Sequence, residues 1–254
     1  MYDKDLVKKT QNRLLEMAII IRDILEKNEI PYFITYGTLL GAVRHKGFIP
    51  WDDDFDFYLF SDTYGQALTA IKKELPESLF LEWYDSEPKY FHAWARVKDL
   101  NTEVDNSMFP QDLSYAHQGL NVDLYIAKLV YESEEELYLA KQHLEYINRR
   151  KKLNLISDED YRRRMDLIKP VLDKYGENYK PLENEKQVFA FMSTYKNDFM
   201  YSEEVFPLRQ YEFEDYLFYG PKDAGVFLRR CYGDYMRLPP IEKRIPHYSQ
   251  VVFK

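Results

Sequence analysis

Four aspartates, Asp52, Asp53, Asp54 and Asp56, crowd the stretch WDDDFDFYLF, and at neutral pH their carboxylates repel one another. On an extended backbone, residues two apart share a face. Asp54 and Asp56 therefore project together, while Phe55 turns the other way into packing. Carboxylates sharing a face raise each other's pKa, and a divalent cation reverses that penalty. Hard oxygen ligands favour Mg²⁺ or Mn²⁺. A solvated acidic patch without any ligand fits the same tripeptide, so the neighbours decide. Asp123 lies in the apolar run NVDLYI, where a carboxylate is costly unless paired, hydrogen-bonded or on metal. If its strand runs beside the first, Asp123 completes the metal site. Gly37-Thr38 opens a turn that can offer backbone N–H groups and a hydroxyl to a phosphate, the more so at a helix N-terminus. Asp52 and Asp53 read equally as turn or capping residues, and Arg44 equally as the partner of a nearby aspartate.

The elements that must position these groups follow from periodicity. Residues 4–28 repeat apolar positions at helical spacing, and IPYFITYG follows as a short β run bounded by Pro31 and Gly37. A short helix is expected over Thr38 to Arg44, a strand at FDFYLF and a helix at TYGQALTAIKKEL. LFLEWY, FHAWARVKD and GLNVDLYIAKLVY read as further strands. Ser133 to Asn154 reads as a helix with a Ser133–Glu136 capping box, followed by a helix over Asp158 to Tyr175. YEFEDYLFYG reads as a hairpin, and PKDAGVFLRRCYG as a helix with Pro221 at its start and Gly233 past its end. The fold class is α+β: a mixed sheet flanked by helices, with a helix-rich second half. No linker divides the chain, so residues 1–254 read as one domain with a helical insertion at roughly 130–200.

Composition narrows the partners. The net charge of −8 argues against a nucleic-acid footprint, which needs clustered Lys and Arg. The basic cluster from Asn148 to Arg164 is interrupted by acids and reads as solvated helix faces, with membrane-surface contact as the alternative. One cysteine, Cys231, permits no internal disulfide, which fits a reducing cytoplasm. No apolar run reaches the ~18 residues of a membrane span. With 23 Tyr and 16 Phe, an aromatic core is expected, with some rings free to line a pocket for a base, a sugar or a quaternary ammonium group.

The order strand, Gly-Thr turn, Asp-Phe-Asp-Phe and a later Val-Asp-Leu resembles the nucleotidyltransferase superfamily. Thr38 replaces the usual Gly or Ser and keeps the hydroxyl. The longer string YGTLLGAVRHKGFIPWDDDFD resembles the LicD family, bacterial phosphocholine transferases distantly related to fukutin and fukutin-related protein. The resemblance continues through ARVKDLNT, GLNVDLYIA and VFPLRQYEFEDYLFYGPKDAGVFLRRCYGDYMRLPP.

It implies transfer of a substituted phosphate, phosphocholine foremost, from a CDP-activated donor to a hydroxyl of a glycan or glycolipid, with release of CMP. Asp54, Asp56 and Asp123 would hold Mg²⁺, and the backbone at Gly37 and Thr38 would hold the diphosphate together with Arg44. Arg96, standing where relatives carry Lys, would add a phosphate contact. Asp123 comes first as the group that takes the acceptor proton, and Asp52 second. The same fold also admits transfer of glycerol or ribitol phosphate, nucleotidyl transfer, or nucleotide binding without catalysis. Retention of all three acids weighs against the last.

Overall fold

The computed structural model describes residues 2–105, 110–175, 179–181, 184–191 and 199–254. The expected helical insertion at roughly 130–200 includes 176–178, 182–183 and 192–198, which lie outside the described residues. Helix α1 (Lys4–Lys27) opens on Asp3, whose carboxylate accepts from the backbone N–H of Asp5 and Leu6 at 3.0 and 3.1 Å. Its apolar stripe, Leu14, Met17, Ala18, Ile21 and Leu25, is fully buried. The chain then runs through β1 (Tyr32–Ile34), α2 (Tyr36–His45), β2 (Asp56–Phe60), α3 (Tyr64–Glu74), β3 (Leu79–Glu82), β4 (Ala95–Asp99) and β5 (Thr102–Val104). Strand β6 (Asn121–Tyr131) is followed by α4 (Glu135–Lys152) and α5 (Asp158–Tyr175). Next come β7 (Gln187–Phe191), β8 (Met200–Tyr201), α6 (Ser202–Val205), β9 (Arg209–Phe213), β10 (Tyr216–Gly220), α7 (Ala224–Tyr232) and β11 (Val251–Phe253). The α+β class stands, with a curled mixed sheet and helices around it.

Strand β6 organises that sheet. Along one edge it pairs in parallel with β2, which pairs antiparallel with β1. On its other edge its first half pairs with β4, which carries β3, and its second half with β7, which carries β8. An eleven-residue strand shared in this way lets the sheet curl rather than end flat. Phe55 and Phe57 point away from the acids into a cluster with Phe48, Phe213 and Phe218. The β9–β10 hairpin supplies the last two rings, so the apolar face of β2 is fixed from outside the sheet. Far along the chain, β11 pairs antiparallel with β5 and returns the C-terminal segment to the sheet.

Three local expectations change. Helix α2 begins at Tyr36, not after Gly37, and Tyr36 turns the chain with a left-handed backbone (φ 43°). Ser133 and Glu136 form no capping box: Ser133 donates to Glu185 at 2.7 Å, and Glu136 accepts from Lys174 and Tyr175. Glu134 instead accepts from the Tyr131 N–H. Pro221 precedes the N-cap Asp223 of α7, and its carbonyl accepts from the Tyr211 hydroxyl at 2.7 Å. Gly233 does close α7, with φ 65°.

Gly119 marks a close backbone crossing, because a Cβ there would stand 1.7 Å from the Asp99 carbonyl oxygen. Gly119→Ala should destabilise the protein by about 3 kcal/mol in urea titrations. Gly65→Ala is the control: a Cβ on this residue of α3 meets nothing within 4 Å, so stability should stay level or rise by about 0.5 kcal/mol.

Candidate active site

The parallel register sets Asp56 of β2 directly beside Asp123 of β6, and the antiparallel register sets Arg96 of β4 on the other side of Asp123. These three residues form one polar rung across the sheet. Arg96 Nε donates to Asp123 Oδ1 at 2.9 Å, and its Nη1 to Asp112 Oδ2 at 2.5 Å. Asp112 also bonds His92 Nε2 at 3.0 Å. Asn121 Nδ2 donates to Asp123 Oδ1 at 3.1 Å, which leaves Oδ2 with a long 3.4 Å contact from the Tyr125 hydroxyl. Asp54 lies just outside the strand with its carboxylate partly open to solvent. Its Oδ1 is buried and has no hydrogen-bond partner.

These acids sit in an unbalanced field. Burial raises the pKa of Asp52, and Asp54 and Asp53 raise it further. Asp54 is raised by burial first, then by Asp53 and Asp123, against the lowering effect of His247. Asp56 is pushed well up by burial, then by Asp54, Asp123 and Asp52. An all-oxygen donor set, an orphaned buried carboxylate oxygen and mutual repulsion together fit a hard divalent cation at Asp54, Asp56 and Asp123. Across the site, burial and Arg96 hold His92 down at about 4, so His92 is the neutral partner of Asp112.

Among the described residues, the acids and histidine whose ligand atoms lie mutually within 4.8 Å are Asp52, Asp53 and His247. That group is a clamp. Asp53 is buried, and its Oδ1 accepts from the backbone N–H of His247 at 2.7 Å and bonds the His247 ring at 2.9 Å. Its Oδ2 accepts from the Tyr248 N–H at 2.9 Å. The bond to Asp53 pushes His247 up to about 10, and an imidazolium does not ligate metal. Asp53 therefore fastens the C-terminal segment to the front of β2.

The residues expected to cradle phosphate occupy different positions. Gly37, in the first turn of α2, lets the helix approach the acids: a Cβ there would stand 2.8 Å from Asp52 Oδ2. Thr38 is buried, and its hydroxyl accepts the Asp56 N–H at 2.9 Å, fastening α2 to β2. Arg44 stands at the opposite end of α2, where it donates to the Tyr235 carbonyl at 2.6 Å and to His45. Arg244 lies near enough to lower the Arg44 pKa alongside burial, and Asp52 acts on Arg44 in the opposite sense. Arg96 is corrected from a free phosphate contact to a buried partner of Asp112 and Asp123.

Sequence reasoning missed Asn121, Tyr125 and Asp112. The alternation Asn121-Val122-Asp123-Leu124-Tyr125 would have put the first two on the Asp123 face. Asp112 lies in the short 3₁₀ helix Pro110–Ser114, and its neighbourhood carries no such alternation. One step along the strands from the polar rung runs an aromatic one. Tyr58 stands opposite Tyr125, and the Trp94 ring lies 4.8 Å from that of Tyr125. Tyr36 closes on both tyrosines and hydrogen-bonds the Tyr58 hydroxyl. Trp94 Nε1 is buried without a partner.

Because its folded-state pKa is raised, the Asp56 carboxylate opposes folding at neutral pH, and that penalty fades as falling pH protonates it. In chelator at pH 7.5, Asp56→Asn should therefore melt about 2–4 °C above the parent protein, the shift that 1 kcal/mol produces in a chain of this size. The gap should narrow towards pH 5. Millimolar Mg²⁺ or Mn²⁺ should raise the melting temperature of the parent and leave that of the variant nearly fixed.

Residues 29–124 match the LicD/FKTN/FKRP nucleotidyltransferase domain, a stretch that holds all of the candidate acids. The chain is 28% identical over 253 residues to the lipopolysaccharide cholinephosphotransferase LicD of Haemophilus influenzae, covering 91% of each protein. It is 25% identical over 247 residues to an uncharacterised protein of Rickettsia typhi, covering 96% of this chain and 53% of that protein. A 34-residue stretch is 65% identical to an uncharacterised protein of Rickettsia prowazekii, 13% of either chain. With the acidic strand, its Asp123 partner and the long similarity agreeing, residues 29–124 form a nucleotidyltransferase domain of the LicD/FKTN/FKRP type.

Proposed function

We propose that this protein is a divalent-metal-dependent phosphotransferase. It moves phosphocholine from CDP-choline to a hydroxyl of a lipopolysaccharide-type glycan and releases CMP. The observation that carries this reading is the pair of carboxylates Asp56 and Asp123, set side by side by the pairing of β2 with β6, with Asp54 close enough to raise Asp56 further. The similarity to a lipopolysaccharide cholinephosphotransferase supports the choice of transferred group and acceptor.

A bound Mg²⁺ or Mn²⁺ would neutralise the diphosphate and the departing CMP, which is the main requirement of phosphoryl transfer. Asp54, Asp56 and Asp123 would hold it. Arg96 and Asn121 act through Asp123: by taking Oδ1 they fix which oxygen faces the ligand. Arg44, within electrostatic reach of Asp52 and Arg244, suits the diphosphate better than the Thr38 hydroxyl, which is engaged with the Asp56 backbone N–H. Asp52 is better suited than Asp123 to take the acceptor proton, since burial and Asp54 raise its pKa while Asp123 is tied to Arg96. Trp94 and Tyr125 offer ring faces to a quaternary ammonium group one step from the carboxylates, a distance that the two-carbon link of choline can span.

Asp54→Asn and Asp56→Asn should each lower kcat for transfer from CDP-choline about a thousandfold, roughly 4 kcal/mol, while circular dichroism stays native. Trp94→Leu or Tyr125→Leu should weaken CDP-choline binding about tenfold and leave CMP binding unchanged. A thermal-shift series of CDP-choline, CDP-glycerol, CDP-ribitol and CDP-ethanolamine with Mg²⁺ tests the donor. A shift with CDP-glycerol or CDP-ribitol alone would move the reading to phosphoalditol transfer, and no shift with any of them would sink it.

A further inference from the structure

We infer that residues 233–246, the loop after α7, dock this protein onto an anionic lipid surface. Met236, Leu238, Ile241 and Ile245 are 57%, 44%, 76% and 69% exposed, and none belongs to the hydrophobic clusters of the protein. Single exposed apolar side chains are ordinary; four within ten residues are not. The only regular structure in the stretch is the short 3₁₀ turn Ile241–Lys243.

The loop is held in shape. Arg44 grips the Tyr235 carbonyl at one end, and Asp53 grips His247 and Tyr248 at the other. Between them, Pro239, Pro240 and Pro246 restrict the backbone, and Arg244 Nε donates to the Pro239 carbonyl at 2.9 Å. The apolar side chains are thus presented on a preorganised backbone, which lowers the entropy lost on docking.

Charge selects the partner. The chain carries −8 overall, yet Arg237, Lys243 and Arg244 interleave with these apolar residues, against Asp234 and Glu242. Arg237 and Lys243 are exposed. Apolar side chains that enter the acyl boundary shallowly, with cations at phosphate level, are what a lipid surface accommodates. A stable protein interface needs on the order of 1,000 Å² with a packed centre, and a loop with four separate apolar side chains offers little of that.

The loop also borders the acids. The Arg244 guanidinium lies 5.1 Å from the centre of the Trp51 ring, next to Asp52, and His247 sits on Asp53. Docking would turn this side of the site towards a lipid-anchored acceptor. That consequence rests on the phosphotransferase reading, whereas the docking itself does not.

The test is co-sedimentation of the full chain with vesicles of phosphatidylglycerol and phosphatidylethanolamine, or of phosphatidylcholine alone, at ~0.1 M salt. Binding is expected to the anionic vesicles and to be weaker to the neutral ones. Leu238→Ser/Ile241→Ser/Ile245→Ser should weaken it about tenfold, and so should Arg237→Glu/Lys243→Glu, with melting temperatures unchanged. Absence of binding by the parent protein, or equal binding by the apolar triple variant, would overturn the inference. So would a self-associating parent that the triple variant renders monomeric in light scattering, since the loop would then face a second copy. The assay holds no donor or acceptor, so its outcome is separate from that of the transfer experiments.

Discussion

Asp56 and Asp123 are held side by side by the parallel pairing of β2 with β6, and like charges directly opposed across strands oppose folding. Much of the neighbourhood answers that conflict. Arg96 neutralises Asp123 from the β4 side and is itself shared with Asp112. His92, buried and neutral, completes the coordination of Asp112 without adding charge. On the β2 side, among the described residues, no ion pair stands against Asp56, whose carboxylate is raised by burial and by three other acids against the weaker lowering effect of Arg96. The register cannot slip to relieve the conflict. A shift of one residue would drive Asp56 into the cluster of Phe48, Phe213 and Phe218 and bring Phe57 out of it. Aromatic packing on one face of β2 thus enforces electrostatic strain on the other.

The four acids of WDDDFDFYLF divide the work by direction. Asp54 is partly open to solvent and Asp56 is buried beside Asp123, while Asp53 turns to the returning C-terminal segment. Asp52 lies against the first turn of α2. The partial positive charge of a helix N-terminus favours carboxylates there. Helix α2 is itself tied to the strand through Thr38, so helix, strand and C-terminal segment meet at one place.

The strands and most helices were legible because their signals are local. The 3.6 period of α1 and the alternation around Asp56 and Asp123 need only a few residues to be read. The adjacency of Asp56 and Asp123 was not legible from spacing, since sixty-odd residues separate them and only strand order brings them together. Resemblance to a family supplied that link. For Thr38 and Arg96 the structure shows protein partners that residue type alone did not reveal. Residue type shows what a side chain can bind, whereas its partner is set by tertiary packing. A hydroxyl beside an unpaired strand N–H and a guanidinium beside two buried carboxylates are taken before any ligand arrives. Strand β7 lies within the stretch expected to be helical and was missed.

Read across the sheet, the sign of charge changes from strand to strand and so locates the deficit. At the β3–β4 end, Glu82 is raised to about 7 by burial, with Lys98 and Arg96 opposing that rise. Lys98 in turn is held by the Gly119 carbonyl and Asn121. Opposite charges there offset one another within the protein, and the region is closed to solvent. At the β2 end, Asp52, Asp54 and Asp56 confront one another; His247 is the cation that faces Asp54, and its proton is committed to Asp53. Asp54 is also the acid of this group that combines solvent access with an oxygen lacking any partner. A cation entering from solvent would therefore gain most at Asp54 and Asp56, rather than at the more compact Asp52–Asp53–His247 group, where one carboxylate is already satisfied and the imidazole is protonated.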